Sequence, residues 1–313
     1  MTTGRARARL AVAAVAVAVA VAGLVAVSCA GGESADPRST TVPSVPGPVI
    51  RVLGLDSPES VTIAQVYGRY LQARGYAAEL EAPMASRSEA LAALGRGDVD
   101  LVVDYLGRDA AVLVPDARLT AEPDQVVTVI KPALAAIGAT VLDYSPAAGG
   151  DAFVVRDDSP AIKISNVKNL DYVLGAPADC ERRPRCYPGL TDPDVYGIQF
   201  KAFTRIDQGP QLADALASKR VDAVMWDATA PEIEERGFKI LEDDKRLFPA
   251  DNLAPLLAAA ASDAYGARLA ADLDILSATI TTDDLVAWNA ATEIEGRPPA
   301  DVAADWLAKK SLA

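Results

Sequence analysis

Two stretches decide the fold: EALAALGRGDVDLVVDYLG, residues 89–107, and QLADALASKRVDAVMWDAT, residues 211–229. Each passes from an amphipathic helical pattern through a short basic or glycine-containing link into Val-Asp and an apolar run of strand type. Set in register on their shared aspartates, Asp100 and Asp222, they place Tyr105 and Asp227 at the same position, where each apolar run ends. A unit repeated in this way predicts two lobes built alike. Ligands of open parallel sheets bind beyond the carboxyl ends of the strands, so facing lobes would set Tyr105 and Asp227 on opposite walls of one cleft. The other reading of Tyr105 is a rim aromatic packed on its own lobe.

The surrounding chain follows the same grammar. IRVLG (50–54), the segment near Ala77 to Leu80, DAFVV (151–155), YVLGAP (172–177) and AFTRI (202–206) read as further strands. Ser57 and Pro58 supply the cap and first position of a helix that runs to about Arg74 and stops at Gly75. A second helix covers about Arg87 to Leu94, and others are expected over LADALAS and after Pro193. From about Ala264 the pattern is helical to the end, with Trp288 and Trp306 at core positions. The fold class is therefore α/β with largely parallel sheets, in two lobes with a ligand cleft between them.

Asp and Glu number 43 against 30 Lys and Arg, a formal net charge of -13, so no basic block is available to neutralise phosphates and nucleic acid is excluded as a partner. Histidine is absent, which removes the commonest general base and metal ligand. There is no Walker A sequence and no GxGxxG after a strand. The pairs Asp243-Asp244 and Asp283-Asp284 lie in turn or helix-start contexts and read as caps. No catalytic residue, cofactor or metal is expected, and the chain reads as a binding protein.

At the N-terminus Arg5, Arg7 and Arg9 precede an apolar run from Leu10 to Val27, the pattern of an export signal. Ala26-Val27-Ser28-Cys29 resembles the lipobox at which a bacterial lipoprotein is acylated on cysteine; an uncleaved membrane anchor is the alternative. Residues 1–28 are then the signal peptide and residues 29–48, rich in Gly, Ser, Thr and Pro, a flexible tether. With Cys29 lipidated, Cys180 and Cys186 remain as a pair around ERRPR, expected as a disulfide in an oxidising compartment rather than half of a zinc site. The expected location is the outer face of the cell membrane.

From about Val49 to its end the chain resembles the glycine betaine, carnitine and choline (osmoprotectant) substrate-binding proteins of ABC importers. The resemblance is carried by SPESVTIAQVYGRYLQARGY, VDLVVDYLG, CERRPRCYPGL with VYGIQF, LEDDKRLFPADNLAPLL and TTDDLVAWNAATEIEGRPPADVAADWLAKKSL. It implies a type II periplasmic-binding-protein fold, with residues 49–145 and 254–313 in lobe 1, residues 146–253 in lobe 2, and hinges near Tyr144 to Ala148 and Asn252 to Pro255. It also implies ABC permease and ATPase subunits as partners of a monomer.

The family holds a quaternary ammonium among aromatic rings, because that cation has no N–H to donate and is stabilised by ring faces. Tyr105 falls on one ring position; the others fall on Asp151, Asp227 and Asp251, and Trp226 is displaced by one residue. Ser60 matches a ligand-contacting position of the first helix, and Thr229 is expected to meet remaining polar groups. Arg108 would either clamp an anionic ligand group or pair with one of the aspartates. Free N–H groups at the helix start near Ser57 to Ser60 could also receive an anion. Carboxylates in place of rings leave open another polar cationic solute (amine, polyamine or polyol), or a sensor without transport.

Overall fold

A computed structural model describes residues 44–313. The export signal, Cys29 and the tether as far as residue 43 lie outside the described residues. Ahead of the expected start at Val49, the chain is already held at Val45, whose amide donates to the Gly75 carbonyl at 2.7 Å and whose side chain packs on the core.

The repeated pattern folds into two five-stranded sheets. The first contains β1 (Ile50–Leu53), β2 (Ala78–Leu80), β3 (Leu101–Tyr105), β4 (Ala139–Val141) and β10 (Leu253–Ala258), in the order β2-β1-β3-β10-β4. The second contains β5 (Asp151–Arg156), β6 (Val173–Ala176), β7 (Ala202–Arg205), β8 (Ala223–Asp227) and β9 (Phe238–Ile240), in the order β7-β6-β8-β5-β9. Position by position the two orders are the same, which is the duplication seen in the Val-Asp stretches. In each sheet the strand that brings the chain in from the other lobe, β10 or β5, runs antiparallel to both neighbours. Only the remaining pairs, β1 with β2 and β3, and β6 with β7 and β8, are parallel, so the sheets are mixed rather than largely parallel, because the strand crossing in from the other lobe enters each sheet against its neighbours.

The two crossings lie side by side. Ala148 and Asn252 form a bridge, and the Asn252 side chain donates to the Ser145 carbonyl at 3.0 Å.

Helix α1 (Pro58–Ala73) starts where Ser57 accepts the Ser60 amide, with Pro58 in its first turn. Helix α2 (Arg87–Arg96) is capped by Ser86 and ends at Gly97, whose φ of 73° is the left-handed conformation that closes a helix. Helix α3 (Leu106–Leu113) follows β3 with no loop, so residues just past the strand end stand in its first turn. Gly266, at φ 62°, divides the C-terminal pattern into helices Ala259–Tyr265 and Ala267–Ser277.

The helix expected after Pro193 is not formed. A short helix, Tyr187–Thr191, precedes it instead, and Asp192 to Gly197 is a turn closed by the Gly197 amide on the Asp192 carbonyl at 2.7 Å. Proline disfavours helical backbone in the residue before it, which ends the helix at Asp192.

Trp288 and Trp306 are buried, with ring centroids 5.1 Å apart in an edge-to-face pair. They belong to the core over α1, as their apolar spacing implied. Of the aspartate pairs, Asp243 closes a turn by accepting the amides of Leu247 and Phe248, and Asp284 completes a capping box with Thr281.

Candidate ligand cleft

Because β3 runs straight into α3, Tyr105 and Arg108 lie close together at the carboxyl end of the first sheet. Tyr105 is buried, 3% exposed, and its hydroxyl donates to Glu59 Oε1 at 2.8 Å. Burial, reinforced by the negative charge of Glu59, holds that hydroxyl far above its ordinary pKa, so it remains a donor. The guanidinium carbon of Arg108 stands 4.6 Å from the centroid of the Tyr105 ring. Gly149 packs on the same ring: a Cβ there would lie 2.9 Å from Tyr105 Cε1, so the approach requires glycine.

Arg108 reaches across the cleft. Its Nη2 is 2.5 Å from Asp227 Oδ2, its Nε is 2.9 Å from Asp251 Oδ2, and its amide donates to Asp251 Oδ1 at 3.0 Å. Asp227 ends β8 of the second lobe, whereas Asp251 lies on the segment returning to the first. Burial alone would lower the Arg108 pKa, but Asp227 and Asp251 outweigh it and raise it, so the group stays charged. Burial pushes the Asp251 carboxyl up to about 6, against the opposing pull of Arg108.

Asp151 stands directly opposite Asp227 in the β5–β8 ladder. Two facing carboxylates repel, and each has its own arginine: Arg108 for Asp227, and Arg183, at 3.0 Å, for Asp151. Burial still raises Asp151 above the usual carboxylate range. Arg183 comes from the loop closed by the Cys180–Cys186 disulfide, whose Cα atoms are 5.1 Å apart. That loop does more than staple the lobe, since it delivers Arg183 and Arg185 to the cleft.

A second knot joins the lobes through Glu59, in the first turn of α1. Its Oε2 lies 2.7 Å from the Thr229 hydroxyl and 2.5 Å from Asn289 Nδ2, while Oε1 takes the Tyr105 hydroxyl. Thr229 Oγ1 is also 3.1 Å from Asp227 Oδ1, and its one proton serves both acceptors.

The Arg108–Asp227 pair borders two cavities of about 360 and 370 Å³, both also touched by Gln208. The first combines apolar walls from Val114, Leu119 and Pro249 with Asp151, Asp251 and Arg185. The second is acidic, with Glu59, Glu232 and Glu293 beside Thr229 and Trp226. Burial there, followed by the charges of Glu232, Glu59 and Asp227, raises the pKa of Glu293.

Of the residues expected from sequence, Arg108, Asp151, Asp227 and Asp251 come together around the first cavity, and Thr229 lines the second. Tyr105 lies beneath Arg108 and lines neither of these two cavities. Ser60 also lines neither: its hydroxyl accepts the Leu55 amide at 2.7 Å and fixes the turn into α1. Glu59, Arg183, Arg185, Gln208 and Asn289 were not anticipated. Glu59 is adjacent to Ser60, and Arg183 and Arg185 lie within ERRPR, but nothing local distinguishes them from ordinary surface charges. Among the described residues, no helix is long and apolar enough to cross a membrane, and no cluster of Cys, Asp or Glu is arranged to hold a metal ion.

Residues 48–309 match the family described as the substrate binding domain of ABC-type glycine betaine transport system, OpuAC. Among solved structures, the chain is similar to a glycine betaine/carnitine/choline ABC transporter protein, with a TM-score of 0.76 and 21% identity over 84% of this chain and 99% of that one. It is similar to apo YehZ from Escherichia coli, at 0.70 and 19% over 84% and 99%. Lactococcal OpuAC, closed around glycine betaine, gives 0.59 and 13% over 84% and 96%. At these identities the structural likeness establishes the fold, the two-lobed binding-protein architecture that the duplication predicts.

Proposed function

The chain belongs to the family of substrate-binding domains of ABC-type glycine betaine transport systems, and from that premise we propose that it captures a small polar or zwitterionic osmoprotectant outside the cytoplasmic membrane and hands it to an ABC permease with its ATPase subunits. Compatible solutes of the size of glycine betaine, choline and carnitine are the range concerned. The observation that carries this reading is the cleft itself: the carboxyl ends of β3 and β8 bring Arg108 and Asp227 from facing lobes to a cavity of about 360 Å³, large enough for a small solute. The ligand-facing residues in this reading are Arg108, Asp151, Asp227, Thr229 and Asp251, with Tyr105 behind Arg108.

The protein performs no covalent chemistry in this account. It acts as a monomer, anchored by lipid on Cys29, and closes by hinge motion at the crossings Tyr144 to Ala148 and Asn252 to Pro255. A different polar solute of the same transport role is favoured by one observation: Asp151, Asp227 and Asp251 stand where the family resemblance places rings.

A thermal-shift panel of glycine betaine, choline, carnitine, polyamines, polyols and amino acids tests the reading. A ligand at a hundred times its Kd stabilises by about 2.7 kcal/mol, a clear shift. Silence across the panel would remove the transport role.

A further inference from the structure

An aromatic face attracts a quaternary ammonium only if the face is free. In this chain a guanidinium already lies over it: Arg108 is 4.6 Å from the Tyr105 centroid, inside the roughly 6 Å at which a cation and a ring attract. The backbone at Gly149 closes further space against both groups, since a Cβ there would come within 2.9 Å of the ring and 3.4 Å of Arg108 Nη2. The same guanidinium neutralises Asp227 at 2.5 Å and Asp251 at 2.9 Å. A ring and two carboxylates around one point are the elements of a cation site, and the protein fills that site with its own side chain.

We propose that Arg108 is the resident cation of the cleft: a specificity-determining residue that occupies the place on Tyr105 a quaternary ammonium would need, and so directs the site toward solutes that offer O–H or N–H donors to the carboxylates lining the cavity. The inference rests on the cleft being the solute site, and it specifies which chemistry that site refuses. Such a ligand has donors to spend on Asp151 and on the outer oxygens of Asp227, which a trimethylammonium lacks. It need not break the Arg108 contacts that tie the first lobe to the second.

The charge state of Arg108 supports this arrangement. Burial works against the guanidinium, yet the two carboxylates raise its pKa, so the occupant does not leave by deprotonating.

The test is calorimetric titration of the full chain with tetramethylammonium and choline, comparing wild type with Arg108→Ala and Arg108→Met. Alanine uncovers the ring and leaves Asp227 and Asp251 unpaired, so affinity for both cations should rise at least about tenfold. Methionine removes the charge but refills the face and should give a much smaller gain, and Tyr105→Leu added to Arg108→Ala should cancel part of the increase. If Arg108→Ala fails to fold, Asp227→Asn, which unties Arg108 on one side, should still improve binding over wild type.

The proposal is overturned if wild type binds these cations as tightly as the alanine variant, or if Asp227→Asn, used in its place, shows no gain. Tight binding of glycine betaine to wild type, lost in Tyr105→Leu, would also overturn it while leaving the transport role intact. A wild type that binds nothing in the solute panel, with a gain in Arg108→Ala, would have the opposite consequence.

Discussion

Asp100 and Asp222 make the same two backbone bonds in the two lobes. The Asp100 carboxylate accepts the Arg51 amide at 2.9 Å while its own amide donates to the Arg51 carbonyl at 2.9 Å; Asp222 repeats both, at 2.9 Å each, with Val173. Each aspartate thus clips the start of β3 or β8 onto its parallel neighbour, β1 or β6, immediately before the registers Val52 to Leu101 and Leu174 to Ala223. Asp100 also takes the Arg51 guanidinium at 2.8 Å, whereas Asp222 has a longer contact with Arg156 at 3.5 Å, and the Asp100 side chain is 11% exposed against 30% for Asp222. Asp100→Ala is therefore expected to cost about 2–3 kcal/mol, and Asp222→Ala about 1–2 kcal/mol, by removing a charged acceptor from a partly buried amide. Urea unfolding followed by circular dichroism gives both values, and the reverse ranking would contradict this account.

Asp251 gives the stability a pH dependence of defined sign. Its folded-state pKa is raised by burial from 3.8 to about 6, so between those values the folded chain binds the proton more tightly than the unfolded chain does. The contribution is fully present below about pH 4 and is lost as pH rises through about 6. Asp151 is shifted in the same direction by burial and steepens the trend. Other groups add their own slopes, so the informative quantity is the difference between proteins: stability measured from pH 4 to 7 should fall less for Asp251→Asn than for wild type. Parallel curves would show that Asp251 does not titrate in this window.

The two lobes were legible because a local unit occurs twice. Helix, link, Val-Asp and apolar run are all neighbours in sequence, and the aspartate sits at a position each lobe needs for the same backbone reason. Strand β10 was harder to see: Pro255 stands within it, and proline argues against a strand flanked on both sides. Its amide nitrogen has no proton to give, but its carbonyl accepts the Leu142 amide at 2.9 Å, so the ladder to β4 survives. The site was legible only in its first members. Tyr105 and Asp227 end strands that can be read locally, whereas the facing of Asp151 and Asp227 depends on antiparallel register. Arg183 meets Asp151 only because the disulfide loop folds back over the cleft. Glu59, an unremarkable acid at a helix start, acquires its role from three donors distant in sequence.

Glu59 gathers donors from both lobes. It accepts from the Tyr105 hydroxyl at 2.8 Å and from Asn289 Nδ2 at 2.5 Å on the first lobe, and from the Thr229 hydroxyl at 2.7 Å on the second. Glu59→Gln keeps the shape but replaces one oxygen with an NH₂ group, which cannot accept from these donors. At least one buried donor is left unpaired, and the others lose the strength that a charged acceptor adds. The expected cost is about 2–4 kcal/mol in urea unfolding. Thr229→Val, which removes the one hydroxyl proton shared by Glu59 and Asp227, should cost about 1 kcal/mol. Because the Thr229 contact crosses between the lobes, both variants should also widen the cleft, seen as an increased radius of gyration in small-angle scattering of the ligand-free protein. A Glu59→Gln protein with wild-type stability and wild-type scattering would show that the knot does not hold the lobes together.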